Sequence, residues 1–171
     1  NDTWKLNLTT NAWSQLSTTG TAPGGRRYTN SGVYNGNLII FGGVIGSTAY
    51  NDVWKLNLTS LAWTQLHNGA GTAPPARYIH SVNITGDNLY TFGGIYSGTT
   101  YNDTWKFDLT NNTWSQLSTT GTPPSSRRSS DSIIYNNNLY IFGGLNSSSY
   151  LNDVWELNLS TLAWKELHDG V

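Results

Sequence analysis

The residues best suited to chemistry in this chain come in repeated sets. Asp2, Asp52, Asp103 and Asp153 each follow an asparagine and stand two residues before a tryptophan. Carboxylates in one recurring setting could ring a cation. The competing assignment is structural, each aspartate capping its own turn or pairing with a repeated arginine, because short polar side chains readily bond nearby backbone. That second assignment is preferred. His67 and His168 occupy equivalent positions and His80 stands alone, which makes no sequence-local ligand pattern. The absence of cysteine removes disulfides, thiolate ligands and cysteine nucleophiles and leaves the redox compartment undetermined. With no recognisable nucleophile–base pair or phosphate-cradling glycine loop either, no catalytic, cofactor or metal residue is assigned.

Recognition is the other chemistry available. Arginine and tyrosine are over-represented at interface hot spots, and here they break an otherwise regular pattern. Arg27 and Arg128 each follow another arginine, whereas Tyr78 takes the corresponding place between them. Tyr50, Tyr96, Tyr101 and Tyr150 lie in long connecting segments. Together with Arg27, Tyr78 and Arg128 they form the candidate partner-binding set. The tryptophans fall in pairs nine residues apart (Trp4 and Trp13, Trp54 and Trp63, Trp105 and Trp114, Trp155 and Trp164). Being present in every unit, they are assigned to packing, a sugar-stacking platform being the alternative.

Composition narrows the partners. The net charge is −1 and 11% of the 171 residues are charged, so no field strong enough to gather nucleic acid or an anionic membrane is available. No apolar run approaches a membrane span, and no signal peptide is visible. Asn, Thr, Ser, Gly and aromatic residues favour sheets and turns over helices.

The elements that must position these residues recur with a period near fifty residues. Asn-Asp-(Thr/Val)-Trp begins at Asn1, Asn51, Asn102 and Asn152, and Phe-Gly-Gly at Phe41, Phe92 and Phe142. Each unit reads as four strands. The first includes Ser31 to Tyr34 or Ser132 to Tyr135, and the second Leu38 to Phe41, Leu89 to Phe92 or Leu139 to Phe142. The third is exemplified by Val53 to Leu58, and the fourth starts at the second tryptophan. Asn35-Gly36, Gly86-Asp87 and Asn136-Asn137 suit tight hairpin turns. Strand alternation places the short first-to-second and third-to-fourth connections on one face. The long second-to-third and fourth-to-first connections share the other, where recognition is expected. Alternate units are the closer relatives: the stretch from Asn1 resembles that from Asn102 more than that from Asn51. Duplication of a two-unit cassette accounts for this.

These spaced motifs resemble the kelch-repeat family over essentially the whole chain. The glycine doublets are Gly42-Gly43, Gly93-Gly94 and Gly143-Gly144. The Pro-x-x-Arg segments end at Arg26, Arg77 and Arg127, and only the middle unit has the fuller Arg77, His80, Ser81 form. The resemblance implies an all-β propeller of about three and a half four-stranded blades. Residues 1–16 would give the outer strands of a partial blade, and 26–67, 77–118 and 127–168 whole blades. The cassette favours six blades in a complete ring. An open arc exposes two apolar blade faces, so the chain is expected to be part of a longer polypeptide or to be covered by other subunits.

The resemblance also implies a scaffold that binds a protein partner through long loops, with no cofactor. The copper radical oxidases of this fold need a cysteine that this chain lacks, and the iron constellation of the specifier proteins is not matched. An enzyme or carbohydrate-binding propeller, its site partly in other blades, stays open as the alternative. Asn-x-(Ser/Thr) sequons at Asn1, Asn7, Asn57, Asn83, Asn102, Asn111, Asn146 and Asn158 tilt the expected location toward secretion or the cell surface.

Overall fold

The computed structural model describes residues 2–171, and Asn1, the first asparagine of the repeat and of the sequon set, lies outside them. Every regular element among the described residues is a strand. No helix there is long and apolar enough to cross a membrane.

Strands β1 (Thr3–Asn7) and β2 (Ala12–Leu16) form a two-stranded ribbon. The first four-stranded blade contains β3 (Asn30–Tyr34) and β4 (Asn37–Phe41), then the short hairpin β5 (Val44–Ile45) and β6 (Thr48–Ala49), then β7 (Val53–Asn57) and β8 (Trp63–His67). The second repeats this plan with β9 (Ser81–Thr85), β10 (Asn88–Phe92), the hairpin β11 (Ile95–Tyr96) and β12 (Thr99–Thr100), β13 (Thr104–Asp108) and β14 (Thr113–Gln116). In the third, β15 (Asp131–Tyr135) and β18 (Trp164–His168) flank two long strands, β16 (Asn138–Leu145) and β17 (Tyr150–Asn158), which absorb the hairpin across a bulge at the glycine doublet. All blade pairings are antiparallel and follow chain order, as in β3-β4-β7-β8. Strand β9 lies beside both β3 and β15, so the first strands stand side by side.

Local chemistry sets the turns. Asn35 and Gly36, like Asn136 and Asn137, all take positive φ, as a type I′ turn demands. At the third-to-fourth turns Asn7, Asn57 and Asn158 each accept the N–H groups two and three residues ahead, and Asp108 does the same in the second blade. Three sequon asparagines thus have a turn-forming role that an aspartate performs in their place. Leu58, Leu109 and Leu159 donate to Gly36, Asp87 and Asn137, tying both sets of short turns together on one face.

The core lies between blades. Ile39, Phe41 and Val53 of the first blade pack with Leu89, Phe107 and Trp114 of the second, and Phe92 of the second with Leu139, Ile141 and Trp164 of the third. Phe41 meets Trp114 at 4.8 Å between ring centroids, and Phe92 meets Trp164 at 5.6 Å. These tilted arrangements suit the ring quadrupoles. The same positions at the two ends of the arc are open: Phe142 is 56% exposed and Trp13 64%.

Candidate protein-binding face

The repeated arginines and aspartates form a lock inside each whole blade. Arg26 Nη1 lies 2.6 Å from Asp52 Oδ1 and Nη2 3.1 Å from Oδ2. Arg77 grips Asp103 at 2.6 and 2.8 Å, and Arg127 grips Asp153 at the same two distances. Nη1 and Nε of each arginine also donate to carbonyls, Nη1 to Gly42, Gly93 and Gly143 and Nε to Gly24, Pro75 and Ser125. The indoles of Trp54, Trp105 and Trp155 donate to the same aspartates. Paired bidentately and bonded to neighbouring carbonyls, these largely buried ions tie the strand ends of the blade together. Burial pushes the Asp153 carboxyl up, but hydrogen bonds from Arg127 and Trp155 outweigh it and hold the pKa below the ordinary value.

Two of the candidate tyrosines belong to these locks. Arg26 sits over the Tyr50 ring at 4.7 Å and Arg77 over Tyr101 at 4.3 Å. Their carbonyls also accept from the next blade, Tyr50 from Arg77 N–H and Tyr101 from Arg127 N–H. Gly43 and Gly94 return the contact by donating to the Arg77 and Arg127 carbonyls. The doublet must be glycine here: Gly42 and Gly43 have φ of 63° and 95°, and a Cβ on Gly42 would stand 2.8 Å from the Arg77 carbonyl oxygen. In the third blade Leu151 takes this place. Tyr150 instead aligns with Ala49 and Thr100 and is 90% exposed.

The long second-to-third connections are hairpins, and they bond to the residues that follow the lock arginine. Arg27 exchanges two backbone hydrogen bonds with Val44, Tyr78 with Ile95 and Arg128 with Leu145. Both kinds of long connection therefore meet on one face. Just beyond, Tyr28, Ile79 and Ser129 take positive φ, which for the β-branched Ile79 is a real strain. Each bends its chain into the first strand, and Ser129 N–H bonds Ile79 O while Ile79 N–H bonds Tyr28 O.

Three candidates converge. Arg27, Tyr78 and Tyr96 line a cleft of about 300 Å³ between the β5–β6 and β11–β12 hairpins, with Ser47 and Ser97 completing its walls. Arg27 lies over the ring of Tyr28 at 5.4 Å, and Tyr28 stacks on Tyr78 at 5.9 Å across the blade boundary. Arg128 and Tyr150 flank the third blade's extended hairpin, apart from this cleft. Tyr28, 53% exposed, is the residue that sequence reasoning missed. Its signal was its position next to Arg27, one residue past the place where arginine and tyrosine alternate between blades.

Two of the three histidines brace turns. Nδ1 of His67 and of His168 accepts from the N–H of Gly69 and Gly170. His80 is enclosed against Phe41, and burial drives its pKa down to about 3, with the nearby Arg77 charge adding to the shift.

The family model of the KLHDC2/KLHL20/DRC7 Kelch-repeats domain matches residues 1–169. The chain belongs to the kelch-repeat family. No curated protein matches it beyond that. The interblade phenylalanine–tryptophan contacts and the glycine doublets are therefore those of a kelch propeller, a repeat that commonly serves as a protein-interaction scaffold.

Proposed function

We propose that this chain is a binding scaffold that engages a protein partner through the face built by the hairpins and the ends of the fourth-to-first connections. The observation that supports it is the Arg27, Tyr28 and Tyr78 stack beside an open cleft. Exposed arginine and aromatic groups held in place before binding lose little freedom on contact. The opposite face offers short turns in which Asn57, Asp108 and Asn158 are spent on their own backbone. Further blades, of the same polypeptide or of other subunits, cover the Phe142 and Trp13 faces in this reading and complete a ring of six.

Hydrogen exchange on the chain, free and bound to a peptide selected against it from a random display library, tests the assignment. Protection is expected at residues 44–49, 78–80 and 95–100. Protection confined to the turns at 35–36, 86–87 and 136–137 would place binding on the other face and sink the proposal.

A further inference from the structure

We infer that the cleft between the β5–β6 and β11–β12 hairpins receives the carboxylate side chain of an acidic peptide segment, with Arg27 as its counter-ion. This rests on the protein-binding reading above and deepens it.

Its lack of a carboxylate partner among the described residues separates Arg27 from Arg26, Arg77 and Arg127. Arg26, Arg77 and Arg127 each grip an aspartate bidentately. Arg27 is exposed and has no ion pair among the described residues, yet it is not a loose side chain, because its guanidinium lies on the Tyr28 ring and that ring on Tyr78. A guanidinium held in one plane over an aromatic face keeps its edge free for two parallel hydrogen bonds to a carboxylate. No acid lines the cleft, and the other polar side chains there are the hydroxyls of Ser47, Ser97, Tyr78 and Tyr96, all able to donate. A volume of about 300 Å³ suits one or two side chains rather than a folded element.

Other anions fit this lining less well. One guanidinium matches a monoanion, whereas a phosphate dianion would leave charge unneutralised with no second cation in the lining. A nucleic acid needs a run of cations that a chain of net charge −1 does not present here. Arg128, the equivalent residue on the third blade, is followed by Ser129 and lacks the supporting ring. Arg27 and Arg128 are thus predicted to differ in effect despite their equivalent positions.

The test uses random twelve-residue peptides displayed and selected against the whole chain. The best binder is then made as a fluorescent synthetic peptide, alongside a counterpart with Asp→Asn and Glu→Gln throughout. Anisotropy titrations use the native chain and the R27A, R27K, R128A, Y78A and Y96A variants. Circular dichroism should show R27A folded, because the Arg27 side chain makes no hydrogen bond or ion pair among the described residues and rests only on the exposed Tyr28 ring. The proposal expects an acidic binder that loses at least about tenfold in affinity in the neutral counterpart and again in R27A. It expects partial retention in R27K and a change within about twofold in R128A. Selection of peptides indifferent to both acid removal and R27A overturns it. If those peptides still need Tyr78 or Tyr96, the protein-binding face stands and only the acidic anchor falls. If none of these substitutions matters, both readings fall.

Discussion

Arg77 and Asp103 face each other at 2.6 Å in the middle blade, the arginine side chain fully buried and the aspartate partly so. With two parallel hydrogen bonds, and Nε and Nη1 also donating to the carbonyls of Pro75 and Gly93, the pair is safe only while both members are present. Asp103→Asn is expected to destabilise the chain by about 3–5 kcal/mol. The double variant Asp103→Asn, Arg77→Met should cost markedly less than the sum of its parts. Thermal or urea unfolding followed by tryptophan fluorescence reads both.

His80 gives the blade a pH dependence of definite sign. Its folded pKa of about 3 lies below the ordinary value of 6.5. Between these values the unfolded chain binds a proton that the folded chain refuses. The contribution is fully present above pH 6.5 and is lost as pH falls toward 3, with a limiting slope of about 1.4 kcal/mol per pH unit. Thr29 and Ser130 fill this place in the neighbouring blades, so His80→Thr is the apt replacement. Urea midpoints across pH 4 to 6.5 should slope less steeply in that variant.

At Asn57 a side-chain oxygen accepts two backbone N–H groups, the role Asp108 plays one blade later. Asn57→Asp should leave stability nearly unchanged, while Asn57→Ala should lose about 1 kcal/mol. Chemical denaturation distinguishes these outcomes, and equal losses would show that the turn does not depend on that oxygen.

Gly94 combines φ of +97° with a neighbour that cannot retreat. A Cβ there would stand 2.8 Å from the Cβ of the enclosed His80 and 3.0 Å from the Tyr78 carbonyl oxygen. Gly94→Ala is expected to cost about 1–3 kcal/mol. Gly46→Ala, in open space at the β5–β6 turn, should cost only the backbone strain of its +58° φ. A melting temperature for each variant measures the gap.

The repeat made the blades legible because its marks are obligatory. Tight hairpin turns call for Asn-Gly or Asn-Asn, interblade packing for Phe41 against Trp114, and the close approach at Gly42 excludes a side chain. Residue types alone allowed the aspartates either to cap their own turns or to pair with arginine, and the structure has the pairing. The site was less legible because loop tyrosines look alike in sequence. Tyr50 and Tyr101 lie against lock arginines, while Tyr150, one position out of that register, stands in solvent. Spacing from Asn152-Asp153 shows the offset only once the lock is known. The Tyr28–Tyr78 stack joins residues of different blades, so no local pattern displays it. The sequons illustrate the converse error, since Asn7, Asn57 and Asn158 already have a reason to be there in the turns they close.

The claim that the hairpin face is the recognition surface is tested most directly by comparing two sets of substitutions in one binding titration. One set replaces Arg27, Tyr78 and Tyr96 with alanine; the other replaces Thr10, Ser60 and Thr161 on exposed turns of the opposite face. Binding of the display-selected peptide should fall at least about tenfold with the first set and stay within about twofold with the second. The reverse order, or equal losses from both, would contradict the account.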